Sequence, residues 1–255
     1  MGAPPPGRQA LLYRRRRRQG RHRDPHGRGP GWGDGRRDPA GRRAGALRAA
    51  GRRRGAGVAH RVAVCFHGFL RTGASMLPVR LRLAREGWSD ITCPSWRYEL
   101  ADLSDIGARA AALIGDVSER AGGTPVDVVT HSMGGLVARA ALEHAPPVRR
   151  VVMLAPPNQG ARLAATARKL LPVHALGWDP LAPLQPGAPD GLPTPAGVEV
   201  EVGIITGGRG HERGYNPLLG ADNDGKVRVD EARLAGAADF HVLPAHHTFV
   251  MTRRP

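Results

Sequence analysis

The stretch from Val126 to His144 constrains this chain most. Val126-Asp127-Val128-Val129-Thr130 is a short β-branched run that passes straight into His131-Ser132-Met133-Gly134-Gly135. Leu136 to His144 then carries apolar residues at helical spacing. The same alternation recurs on either side. Val62-Ala63-Val64-Cys65-Phe66 is a continuous apolar run, as expected of a strand buried on both faces. Thr72 to Glu86 reads as a helix, with Leu77, Val79, Leu81 and Leu83 between arginines and Pro78 in the first turns, where proline is tolerated. Asp90 to Cys93 is a second short strand. Leu103 to Arg120 is an amphipathic helix in which Ile106, Ala110, Leu113, Ile114 and Val117 share a face. Ser104 is its expected N-cap, and Gly122-Gly123 ends it. Val151 to Ala155 is a strand and Arg162 to Leu171 a helix. Val198 to Thr206 and Phe240 to Leu243 are the last strands, and residues 172–196 form a long connection rich in Pro and Gly. Strand and helix alternate throughout, which predicts an α/β fold with a mostly parallel sheet, helices on both faces and right-handed crossovers. Ligands in such sheets bind at the carboxyl ends of the strands.

Composition then divides the chain in two. The formal charge is +16. Residues 1–59 hold seventeen arginines and three acids, a net of +14, which leaves only +2 for residues 60–255. The first segment is dense in Arg, Gly and Pro and poor in large apolar residues. It cannot bury enough surface to offset chain entropy, so disorder is expected over 1–59, with one domain over 60–255. The run Arg14 to Arg18 suits a nucleic acid or an anionic surface as partner, against the plainer reading of a solvated tail. A twin-arginine export signal is excluded because no apolar stretch follows it, and a cytoplasmic location is the resulting expectation. No run approaches the roughly 18 apolar residues of a membrane span. Cys65 and Cys93 read as small apolar core residues; there is no CxxC motif or Cys/His cluster, so no metal and no cofactor are expected.

The residues after the strands carry the chemistry. A serine on a tight turn between strand and helix is placed as a nucleophile, and small residues must flank it. Gly134 and Gly135 supply that after Ser132; two positions before it, the usual glycine is Thr130, whose bulk is expected to crowd the turn. The competing reading is that Ser132 caps the next helix. After the first strand, His67-Gly68-Phe69-Leu70 provides a glycine that lets backbone approach an acyl oxygen. The Phe69 and Met133 N–H groups would then form an oxyanion hole, with His67 holding the loop. Asn223-Asp224-Gly225 and His246-His247-Thr248 follow later strands, giving the order Ser, Asp, His. Asp222, Asp230 and Glu231 compete with Asp224, which is preferred for the glycine beside it. His246 and His247 are adjacent, so only one can face the serine.

These stretches, VAVCFHGFLRTG, DVVTHSMGGLVAR, VVMLAPPNQGA, DNDGKVRVDEARL and VLPAHHTFVM, resemble the small lipase/esterase-like branch of the α/β-hydrolase superfamily over about residues 60 to 252. The resemblance implies Ser132 as nucleophile, Asp224 as acid, His247 as base, and Phe69 and Met133 as oxyanion donors. It implies a small-molecule ester or lipid substrate, and threonine at position 130 occurs among such members. It also implies a floor to the site built by Pro156 to Gly160. These hydrolases usually end in a helix covering the sheet. Here only Thr248 to Pro255 follow His247, so that helix is expected to be missing or reduced to a turn, exposing apolar surface on one flank.

The function these residues predict is carboxyl-ester hydrolysis through an acyl-serine intermediate. Two alternatives stand beside it: a hydrolase fold without a competent site, and a nucleic-acid-associated protein acting through residues 1–59. The cap is expected to be minimal. Leu171, Val173, Leu176, Trp178, Leu181 and Leu184 suit either a short apolar lid or a plain packed connection.

Overall fold

A computed structural model describes residues 60–170, 179–187 and 199–253. All of them belong to the unit that runs from Arg53 to Pro255. Six strands form one sheet: β1 (Val62–Phe66), β2 (Asp90–Thr92), β3 (Val126–His131), β4 (Val148–Leu154), β5 (Glu201–Gly207) and β6 (Asp239–Leu243). Their order across the sheet is β2-β1-β3-β4-β5-β6, and every pairing is parallel. The helices are α1 (Leu77–Arg85), α2 (Leu103–Arg120), α3 (Gly134–Leu142) and α4 (Arg162–Leu170). The strand order reverses between the first and second crossovers, so β1 and β3 lie side by side and both present their carboxyl ends to one crevice.

The strands alternate side chains between two cores, as a period of two requires. Val64, Phe66, Val128, Val151, Met153 and Ile204 face one core with α2 and α3. Cys65, Val129, Leu154 and Leu243 face the other, with Met76 and Val79. Helix α3 packs against both α2 and the sheet, and all nine of its residues are buried. Gly107 of α2 permits this approach, since a β-carbon there would sit 2.6 Å from the Ala140 β-carbon. Asp127, buried at the start of β3, accepts from Trp88 Nε1 at 2.9 Å and from Arg149 Nε at 2.9 Å. Both cysteines are free.

Several element ends differ from the sequence reading. The helix expected from Thr72 begins as a 3-10 turn over Gly73–Met76, and α1 proper starts at Leu77 with Pro78 in its first turn. The N-cap of α2 is Asp102, not Ser104, which lies inside the helix; Asp102 has the extended backbone of a cap but makes no side-chain cap bond. Strand β4 starts three residues before the expected Val151, because exposed Arg149 and Arg150 interrupt the apolar run without interrupting the ladder. After His247 the chain makes a 3-10 turn over Phe249–Met251. Val250 and Met251 pack into the second core, and a groove of about 510 Å³ beside them is lined by Val152, Ile205 and Leu243.

Candidate active site

Ser132 sits between β3 and α3 with φ of +53°, in the left-handed region that non-glycine residues seldom occupy. A capping serine would have extended backbone, and α3 shows no side-chain cap bond; its N-cap position is Met133. The capping reading is therefore incorrect. The turn is held by the Ser132 N–H, which donates to the Leu154 carbonyl at 2.8 Å. Its tightness dictates the glycines. A β-carbon on Gly134 would lie 2.4 Å from the Phe66 carbonyl oxygen, and one on Gly135 would lie 2.9 Å from Pro156 Cβ. Thr130 does not crowd the turn: it is fully buried in regular β3, with its hydroxyl over the space that Gly135 leaves open.

The loop after β1 comes up beside this turn. A β-carbon on Gly68 would meet Ser132 Cβ at 3.1 Å and His131 Nδ1 at 3.0 Å. Among the described residues, neither the Phe69 N–H nor the Met133 N–H donates to a protein acceptor. His67 is buried and structural in its contacts. Its ring stacks on Tyr98 at 4.4 Å, and its Nε2 accepts from the Trp96 N–H at 3.2 Å.

Asp224 and His247 meet from the loops after β5 and β6. The His247 Nδ1–H donates to Asp224 Oδ2 at 2.7 Å, and the His247 N–H donates to the Asp224 carbonyl at 2.9 Å. The other carboxylate oxygen accepts from the backbone N–H groups of Lys226 at 2.9 Å and Val227 at 2.8 Å. Gly225, with φ of +99°, makes the turn that brings those donors round. Both side chains are buried. The rival acids are occupied elsewhere. Asp222 accepts from the Arg209 and Gly210 N–H groups, Asp230 pairs with Arg228, and Glu231 accepts from the Arg162 and Arg228 N–H groups. His246 is exposed, and its ring lies tilted against Tyr215 with the centroids 3.9 Å apart.

Two residues that the sequence did not single out complete the arrangement. His131 is buried, and burial, with the nearby His247, pulls its pKa down to about 3, so the ring is neutral. Its contact with the His247 carbonyl at 3.1 Å then requires the proton on Nε2, leaving the buried Nδ1 without a partner among the described residues. His131 thus pins the backbone of His247. Asn223 is fully buried; its Oδ1 accepts from the Asn216 and Gly225 N–H groups, each at 2.9 Å, and shapes the loop that carries Asp224. Its place in the turn-forming run Asn223-Asp224-Gly225 is the one sequence signal that could have found it.

Ser132, His247, Gly68 and Phe69 line one cavity of about 250 Å³. Its apolar wall comes from Leu163, Ala164 and Ala167 on α4, and from Leu181 and Leu184. Of the six residues suited to a lid, these last two pack into the first core as well as the cavity wall, while Leu171, Val173, Leu176 and Trp178 lie outside the described residues. Of Pro156 to Gly160, the segment expected as a floor, Pro157 lines the cavity, while Asn158 is buried and donates to the Ala232 carbonyl at 2.9 Å. The segment 1–59, on which a nucleic-acid or anionic-surface partner depends, also lies outside them. No helix among the described residues is long and apolar enough to cross a membrane.

A family described as Domain of unknown function (DUF7379) matches residues 103–173, less than half of the chain. No curated protein matches the sequence. Among solved structures, the chain is similar to Bacillus licheniformis lipase BlEst2. The propeptide form aligns at 21% identity and TM-score 0.63, over 76% of this chain and 48% of that one. The mature form aligns at 22% identity and TM-score 0.57, over 76% of this chain and 87% of that one. Phospholipase PlaB from Legionella pneumophila aligns at 20% identity and TM-score 0.52, over 74% of this chain and 53% of that one. The chain spans about half the length of the propeptide form and of PlaB. All-parallel strand order, helices on both faces and these neighbours together identify the chain as having the α/β-hydrolase fold.

Proposed function

We propose that this protein hydrolyses carboxyl esters through an acyl-serine intermediate, with Ser132, His247 and Asp224 as its triad. One observation carries the reading: a serine on a strained turn shares a cavity with a histidine whose Nδ1–H is fixed on a buried carboxylate. Fixing the proton on Nδ1 leaves the Nε2 lone pair free to act as base. Ser132 Oγ attacks the ester carbonyl carbon, and its proton moves to His247 Nε2. The Phe69 and Met133 N–H groups, which have no protein acceptor among the described residues, take up the charge on the carbonyl oxygen. Collapse breaks the bond to the alcohol, which leaves with the Nε2 proton. Water then attacks the acyl-serine by the same route and releases the acid. Asp224 keeps the imidazole in its tautomer and stabilises the imidazolium.

The cavity suits a short acyl chain. Its volume of about 250 Å³ lies below the roughly 300–1,000 Å³ usual for small-molecule sites, and its wall is apolar. The test is turnover of p-nitrophenyl acetate, butanoate and octanoate by the folded protein and its Ser132→Ala variant. We expect hydrolysis that favours the shorter chains and falls by roughly 10⁴–10⁶-fold in the variant. Equal rates in the two proteins, or no turnover by a chain shown by circular dichroism to be folded, would overturn the assignment.

A further inference from the structure

The cavity that holds Ser132 is apolar except for its histidines and two cations, Arg71 and Lys226. Among the described residues, no carboxylate lines it. The two cations come from different parts of the fold, Arg71 from the loop after β1 and Lys226 from the loop after β5, yet both border the one space. Both are exposed at its mouth, and neither is ion-paired among the described residues. Arg71 is held at its side chain and Lys226 at its backbone. Arg71 Nη2 donates to Thr248 Oγ1 at 3.1 Å, the residue after the proposed base. The Lys226 N–H donates to Asp224 Oδ1, which anchors its backbone two residues from the proposed acid. Both charges also help to depress the His131 pKa, so their field reaches the base of the turn. Lysine is rare here: the chain has two, Lys169 and Lys226.

Two unpaired cations flanking an apolar cavity attract anions and repel none, and a neutral fatty ester has no use for them. Building on the ester-hydrolase reading, we propose that the substrate is an ester bearing an anionic group, phosphate or carboxylate, within a few atoms of the scissile carbonyl, held between Arg71 and Lys226. The anionic group is charged before and during the reaction. The cations therefore bind ground state and transition state alike, and their effect falls on KM rather than kcat.

The test compares three butanoyl esters: butanoyl glycerol (neutral), butanoyl glycerol 3-phosphate, and butanoyl glycolate, which carries a carboxylate. Kinetics are measured on the full chain and on Arg71→Gln and Lys226→Gln. We expect kcat/KM for at least one anionic ester to exceed that of the neutral ester by about tenfold or more, the scale of one partly exposed charge-assisted contact. Each variant should lower that ratio several-fold, through KM, and added salt should erode it. Preference for the phosphate or for the carboxylate arm identifies the source of the anion. Equal kcat/KM for all three esters, or ratios unchanged in both variants, would overturn the proposal. Calorimetric binding of the same esters to Ser132→Ala separates the two claims. If no ester is turned over, the hydrolase reading fails, and the anion site then stands only if an anionic ester binds Ser132→Ala more tightly than the neutral one and Ser132→Ala/Lys226→Gln loses the difference. Equal binding of all three esters overturns it.

Discussion

Replacing Asp224 by asparagine keeps the shape of the side chain and exchanges one acceptor for a donor. In the folded protein, Oδ1 accepts from two backbone N–H groups and Oδ2 accepts from His247 Nδ1–H. The amide oxygen of Asp224→Asn keeps the two backbone donors, since its NH₂ could not accept them. The NH₂ must then face His247 Nδ1 as a donor, so the ring carries its proton on Nε2 instead. That nitrogen can no longer take the Ser132 proton. The expected loss in kcat is about 10⁴-fold, or roughly 5 kcal/mol of barrier. Stability should change much less, by about 1–3 kcal/mol for one hydrogen bond to a charged partner. Short-chain p-nitrophenyl ester turnover at pH 7, beside thermal melts of both proteins, measures the two effects. Activity within tenfold of the parent in a folded Asp224→Asn protein would refute the argument, because the tautomer would then not be set by this carboxylate.

Three further outcomes follow from the same geometry. Gly134→Ala places a β-carbon 2.4 Å from the Phe66 carbonyl oxygen, so it should cost about 1–3 kcal/mol or more in chemical denaturation, with the labelling reactivity of Ser132 reduced in parallel. His131 has a folded pKa of about 3 against an ordinary 6.5. Between those values the unfolded chain binds a proton that the folded chain does not. Its contribution to stability is therefore complete above pH 6.5 and is lost as pH falls toward 3, by up to about 5 kcal/mol; melting temperatures between pH 3 and 7 should slope less steeply in His131→Gln. Ala167→Phe fills part of the cavity wall on α4 and should lower octanoate turnover about tenfold or more relative to acetate, a pocket-size effect of about 1–3 kcal/mol read from the ratio of kcat/KM values.

The parallel sheet was legible because each buried strand is a short apolar run and each helix shows its period. Leu103–Arg120 appears in the sequence with the bounds it has in the structure. Edges were less legible where polar residues occupy ladder positions, as Arg149 and Arg150 do in β4, since backbone pairing does not depend on the side chain. Ser132 stood out because strand, small residues and helix must be consecutive in the chain. Asp224 and His247 stood out only as candidates among neighbours. What separates His247 from His246 is that one ring is buried against Asp224 and the other lies outside on Tyr215, a difference made by tertiary packing. His131 carried no sequence signal of its own: its role comes from a contact 116 residues away, with the His247 carbonyl. Arg71 and Lys226 were likewise lost among the chain's 38 basic residues until the fold brought them to one cavity.

The central claim is that Ser132 is an activated nucleophile. Intact-mass analysis after exposure to a fluorophosphonate tests it most directly, on the full chain and on its Ser132→Ala and His247→Gln variants. The account predicts one adduct per chain on the parent, none on Ser132→Ala, and labelling slowed by roughly a hundredfold or more on His247→Gln, the lower range of general-base contributions. A folded parent that takes up no adduct, or a Ser132→Ala variant labelled as fast as the parent, would contradict it.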